Sequence, residues 1–371
     1  MVNLRGLLRL RIAPGNYTLQ SFRDLLVKSA DAREKLKVLY FLTSSREWGE
    51  EDKPYSLQGM LRKHEFQLKK FGELKELATA YEDPETRQLV PVKYIAHLDG
   101  ERQILTCFTQ ATSEQIRYTI EPLSGEIGIY HLWISPIEFD RMKNEILSEH
   151  EYTKIKAFYA DRHPAVGFPA KFRAEFKRGF TYRGDDGKET LEELRYYYGV
   201  LPRYIDFSIP GVIDFRVHNR GVFHYIGGDL ERMFDYSERA VDLVLQVRRI
   251  LEHSKLEIVP LLTEKKELKI PHIVPWGINF KRTMDVHDAE DLVEQLESTK
   301  FSVYDTVIAE GSVRFDATVL DEQKNSVFMI SSDEHQMVVS PRYQTTFDSF
   351  LRFYETIAEN FDPDATCVTP V

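Results

Sequence analysis

Apolar positions along this chain repeat with two different periods, and the period switches many times. Leu4 to Ile12 alternates apolar and basic residues around Leu8-Arg9-Leu10-Arg11-Ile12, a period of two that predicts a half-buried strand with arginines on its outer face. Pro14, Gly15 and Asn16 end it. Helical spacing then runs from Leu19 to about Ser29, and a continuous apolar run at Val38–Leu42 predicts a buried strand. A polar loop around Glu47–Pro54 leads into a stretch expected to form a longer helix, roughly Ser56 to Tyr81. Its lysines are interleaved with Glu65, Glu73 and Glu76, the pattern of a solvated face.

From residue 90 onward, groups of strands are followed by a helix. The first group is read as strands Val90–Leu98, Gln103–Thr109, Ile116–Ile120 and Ile127–Ile134, then a helix near Pro136–Ser148. The second is Tyr204–Ile209, Val212–Val217 and Val222–Ile226, then a helix near Tyr236–Glu252. The third is Ser302–Ala309, Val313–Val319, Val327–Ser331 and Met337–Val339, then a helix near Tyr343–Asn360. The second and third share a weak likeness in letters, Val222-Phe223-His224-Tyr225-Ile226 against Val327-Phe328-Met329-Ile330. Lys255–Asp285, with Pro260, Pro271 and Pro275, reads as a connector before a helix at Asp288–Ser298. The expected fold class is α+β: antiparallel sheets each packed by helices, with a weak internal repeat of strand–strand–helix units. The division expected is an N-terminal region, 1–150, a central unit, 151–254, and a connector plus C-terminal unit, 255–371.

Composition narrows the class. The chain has 371 residues, of which 42% are apolar and 12% aromatic, enough to build a large core and too aromatic for disorder. No apolar run is long enough to span a membrane, and Arg5, Arg9 and Arg11 interrupt the segment where a signal peptide needs an apolar core. Cys107 and Cys367 provide neither a disulfide framework nor a zinc cluster, which fits a reducing cytoplasm. The net charge is −10, but residues 1–250 carry 38 Lys/Arg against 37 Asp/Glu, while residues 251–371 carry 11 against 22. The acid belongs to the C-terminal third, which suits a basic protein partner or simple solvation.

Against that background, Lys154 to Arg183 holds eight Lys/Arg, two acids and seven aromatic residues. The bases are Lys154, Lys156, Arg162, Lys171, Arg173, Lys177, Arg178 and Arg183. A basic surface interleaved with rings suits a polyanion that also has flat faces, a nucleic acid. Read as a strand, Phe172, Phe176, Phe180 and Tyr182 share one face and Lys171, Arg173, Lys177 and Arg183 the other. The sequence suggests a helix to about Arg178, a break at Gly179, then a strand. The rings are expected to be buried, leaving the bases to contact phosphates without reading sequence.

Catalytic patterns are poorer. Gly184-Asp185-Asp186-Gly187-Lys188-Glu189 fails as a phosphate loop, since Tyr182 stands where the first Gly belongs and Glu189 where a hydroxyl belongs. Tyr225-Ile226-Gly227-Gly228-Asp229 lacks the rest of a dinucleotide fingerprint. Asp161 with Glu175-Phe176-Lys177, and Asp316 with Glu322-Gln323-Lys324, carry the letters of a metal-dependent nuclease. His287 lies between acids as a cap-region residue, and His218 and His224 share one face of a predicted hairpin, where Arg216 and Arg220 would favour phosphate over metal. The leading expectation is a non-catalytic nucleic-acid-binding protein with no cofactor, acting in the cytoplasm with a protein partner docked on its acidic C-terminal unit. A metal-dependent nuclease and an assembly protein without nucleic-acid binding are the alternatives.

Overall fold

A computed structural model describes residues 15–29, 33–162, 170–173, 176–262, 267–309 and 314–369. The strand expected at Leu4–Ile12 lies outside them. The described residues form eight α-helices and three antiparallel sheets, an α+β fold.

The apolar run of β1 (Lys37–Thr43) organises the larger sheet. All seven of its residues are buried. Val38, Tyr40 and Leu42 join one core with Phe22 and Leu26 of α1 (Leu19–Lys28), while Leu39 and Phe41 join a second with Leu57 and Leu61 of α2 (Leu57–Lys63) and Ile116 of α3 (Ser113–Thr119). A strand covered on both faces needs apolar side chains at every position, hence a run and not an alternation. Each such side chain stabilises the fold by about 1.5–3 kcal/mol relative to exposure.

Around β1 the sheet grows in both directions. On one side lie β5 (Ile104–Thr109), β4 (Leu89–Asp99), β3 (Leu74–Glu82) and the edge strand β2 (Gln67–Phe71). On the other lie β11 (Val222–Gly228), β10 (Ile213–His218), β9 (Leu201–Ile209), β7 (Lys154–Arg162) and, at the far edge, β8 (Arg178–Arg183). The short β6 (Ile129–His131) also pairs with β1. Residues from the first 150 positions and from the central segment thus share one sheet. The long helix α6 (Leu230–His253) covers β10 and β11, with Tyr236 stacked on Phe215 at 5.2 Å.

The C-terminal residues build a second sheet in the order β15 (Phe301–Ala309), β16 (Arg314–Asp321), β17 (Ser326–Ser332), β18 (Gln336–Tyr343), β14 (Trp276–Asn279), β19 (Thr366–Val368). Helix α8 (Phe347–Asn360) packs on it, and Trp276 is enclosed by Phe350, Phe353 and Tyr354. One buried cluster contains Phe215, Val241, Tyr354 and Val319, so the core runs from the large sheet through α6 and α8 into the small one.

Four expectations are corrected. The helix expected over Ser56–Tyr81 stops at Lys63, and β2 and β3 form a hairpin in its place. Gly72, at φ +77°, makes that turn, and a Cβ there would meet the Tyr17 amide nitrogen at 2.3 Å. Ile116 is helical because Thr112 and Gln115 form a reciprocal capping box. Of Ile127–Ile134 only β6 is strand. The connector contains the two-stranded sheet β12 (Lys255–Leu262) and β13 (Glu267–Val274) as well as β14. A ribbon of two strands has open edges that tolerate the missing N–H of Pro260 and Pro271. The strand groups before α6 and α8 differ in number, three in the large sheet and four in the small. No described helix is long and apolar enough to cross a membrane.

Candidate nucleic-acid interface

The basic–aromatic segment lies at the β8 edge of the large sheet. Among the described residues β8 pairs with β7 alone, in the register Ala157↔Arg183, Tyr159↔Thr181 and Arg162↔Arg178. The expected break at Gly179 is absent: Gly179 lies within β8, opposite Asp161. The Tyr159 ring crosses it, and a Cβ would sit 2.8 Å from the Tyr159 hydroxyl. No described residue just before Arg178 is helical. Alternation along β8 sends Phe180 and Tyr182 inward, where Tyr182 stacks on Phe158 at 5.1 Å and Phe180 lies 5.2 Å from Tyr198 of α5 (Gly187–Tyr198). Arg183 points to the opposite face.

The eight expected phosphate contacts divide by surroundings. Arg162 is 3% exposed, which withdraws it from any surface contact. Burial, reinforced by nearby Arg178, lowers its pKa. Lys154 and Lys156 are exposed but share Asp185, whose carboxyl they hold below its usual range. Arg178 is half-buried with its guanidinium 4.9 Å from the Tyr198 ring centre. The Lys171 ammonium bonds the Tyr196 hydroxyl and lies 3.5 Å from that ring's centre. Arg173, Lys177 and Arg183 are exposed and form no salt bridge among the described residues. Glu175 lies outside the described residues.

The rings divide as well. Burial holds in part for Phe180 and Tyr182, whereas Phe172 is 53% exposed and Phe176 54%. On α5, Tyr196 is 58% exposed and Tyr197 39%. Phe172 lies 5.7 Å from Tyr197, and the backbone N–H groups of Lys171 and Phe172 both donate to the Tyr197 carbonyl, at 2.9 and 3.1 Å. That carbonyl is free to accept because α5 ends one residue later, capped by Gly199 at φ +59°. The tyrosines were not among the expected contacts. Their signal is legible: of three successive rings on a helix, one stripe faces the core and the others must face outward.

A cleft of about 640 Å³ adjoins this surface, sharing Lys171 and Tyr196 with it. Its walls come from α4 (Pro136–Glu149), α5, the Lys281–Arg282 turn and the Asp362–Asp364 turn.

The remaining patterns resolve differently. His218 and His224 share a sheet face, opposite Tyr204 and Arg216 respectively. Burial depresses their pKa values to about 3 and about 4, helped by neighbouring cations. Arg216 is clamped by both Asp206 oxygens and so is not offered to a phosphate. Lys324 is fully buried and pairs with Asp348 at 3.0 Å, Asp316 pairs with Arg314, and Glu322 accepts from Ser302. Asp161 is held by Arg203 at 2.6 Å. His287 is exposed beside Glu290, while Asp285 caps α7 (Val286–Ser298). No group of three or more His, Cys, Asp or Glu among the described residues is placed to hold a metal ion. Both cysteines are free thiols.

Residues 137–220 match the AF_0896_M family model, described as a family middle domain. That span includes β7 to β10, α5 and nearly all of α4, and therefore the whole basic–aromatic edge. An "uncharacterized protein" of Archaeoglobus fulgidus is 27% identical over 292 residues, covering 74% of this chain and 77% of that protein. No solved structure matches.

Proposed function

We propose that this chain is a non-catalytic nucleic-acid-binding protein of the cytoplasm that engages the sugar–phosphate backbone along its β8 edge. One observation carries the reading: exposed Phe172 and Phe176 stand among Lys171, Arg173 and Lys177, none of which has a carboxylate partner among the described residues. Solvent-exposed rings are costly to leave in water and are productive when a base stacks on them, and unpaired cations beside them are free to displace counterions from phosphates. Arg183 extends the cation line on the other face of β8. The acidic C-terminal unit is proposed to dock a basic protein partner, in an association that loosens as salt rises.

The test is binding to single- and double-stranded oligonucleotides across a salt series. Replacing Lys171, Arg173, Lys177 and Arg183 together with Ala should weaken binding more than tenfold and reduce the slope of log affinity against log salt by about 3 for a single strand. Equal affinity and equal slope in the variant would remove this edge as the binding surface.

A further inference from the structure

The cleft beside the interface has a charge arrangement that the rest of the fold does not use. Its volume, about 640 Å³, is in the range that accommodates a nucleotide-sized ligand. Most of its ionic groups are already satisfied. Asp140 pairs with Lys143 at 3.0 Å and with Arg195, which also reaches Asp364 at 3.5 Å. Glu192 is exposed and forms no salt bridge among the described residues; its charge opposes the burial that lowers the Lys143 pKa. Arg282 pairs with Asp288 and lies 4.3 Å over the Phe361 ring. The buried Asp362 carboxylate is occupied by backbone: one oxygen accepts from the N–H of Lys281 at 2.6 Å and of Arg282 at 3.2 Å, the other from Asp364 N–H at 3.0 Å.

Two lysines are left over. Among the described residues the Lys171 ammonium meets the Tyr196 ring and hydroxyl and no carboxylate, and Lys281 is exposed with no salt bridge. They come from distant parts of the chain and line one cleft. Asp362 fixes the backbone that carries Lys281, so that ammonium is presented from a rigid turn. Two uncompensated ammonium groups, an exposed ring and the apolar Leu191 complement a phosphate dianion joined to a flat base.

We propose that this cleft seats the phosphorylated terminal nucleotide of a bound strand, with Lys171 and Lys281 on the terminal phosphate and Tyr196 against the base. The inference rests on the nucleic-acid reading above, and it deepens it from backbone binding to recognition of a strand end. Lys171 and Tyr196 belong to both surfaces, so a strand lying on the β8 edge reaches the cleft without leaving the protein.

The experiment is fluorescence anisotropy of the full chain with short single strands of one sequence, carrying a phosphate at the 5′ end, at the 3′ end, or at neither. A phosphate at one end should tighten binding by about tenfold, the scale of one charge-assisted contact. Adenosine monophosphate should compete away that increment. Lys281→Ala should abolish the increment and leave the hydroxyl-ended strand bound as before, while Lys281→Arg should keep it. Equal affinity for all three strands would overturn the cleft assignment and leave the edge reading standing. An increment undiminished in Lys281→Ala would also overturn it. Failure of every strand to bind would overturn both.

Discussion

Lys177 and Lys324 are the same residue type in opposite situations. Lys177 stands exposed at the sheet edge with no salt bridge among the described residues. Lys324, in the turn between β16 and β17, is fully buried, paired with Asp348, and donates to the carbonyls of Ser124 at 2.7 Å, Glu126 at 2.6 Å and Ile129 at 2.9 Å. Asp348 in turn accepts from the Gly128 N–H at 2.9 Å. Nearby, Arg352 pairs with Asp321 and bonds the Thr299 carbonyl, and Arg248 reaches the carbonyls of Thr43 and Gln103. Lys324 joins the small sheet to the large one, Arg352 ties α8 to the strands of the small sheet, and Arg248 ties α6 to the large sheet. A buried charge is held only when it is paired and its remaining protons are accepted. A solvated charge has no such requirement and is available to a ligand. The comparison separates cations that hold the molecule together from cations left open to solvent.

The largest effect should come from breaking the buried set. Lys324→Ala strands Asp348 in the interior and should cost about 3–5 kcal/mol in denaturant unfolding, against about 0.5 kcal/mol or less for Lys177→Ala. Combining Lys324→Met with Asp348→Leu should recover part of that loss, because no charge is left behind, while the carbonyls of Ser124, Glu126 and Ile129 and the Gly128 N–H lose their side-chain partners. If Lys324→Ala and Lys177→Ala unfold alike, the distinction drawn here is wrong.

At the exposed edge the sign of the experiment reverses. Phe172→Ala or Phe176→Ala should leave the melting temperature nearly unchanged and weaken single-strand binding by about 1–3 kcal/mol, the worth of one base–ring stack. An abasic strand should bind parent and variant equally. A large drop in melting temperature with unchanged binding would show that the rings support the fold.

The smallest expected effect concerns His218. Burial, followed by Arg220, Arg203, His131 and Arg216, depresses its pKa from 6.5 to about 3. The folded state then binds fewer protons than the unfolded chain. The stabilisation from the neutral ring is complete above pH 6.5 and is lost as pH falls towards 3. Parent stability should fall between pH 7 and pH 4, and His218→Gln should lose less over the same interval. Parallel stability curves would place His218 outside this linkage.

Local patterns determined a good part of this protein. The apolar run at Val38–Leu42, the alternating strands β9 to β11 and the amphipathic stretches of α6 and α8 were readable because burial period and local geometry agree. The local excess of cations between Lys154 and Arg183 was also a property of the sequence alone. Tertiary structure decided which of those cations are available. Arg162 and Arg183 sit on opposite faces of one strand pair, and only the layer packed against each face makes one buried and the other solvated. Lys324 looked like part of a nuclease pattern because its neighbours Glu322 and Asp316 are close in sequence. The carbonyls that claim it lie 195 to 200 residues away, and no local reading of period or charge contains an interaction at that separation.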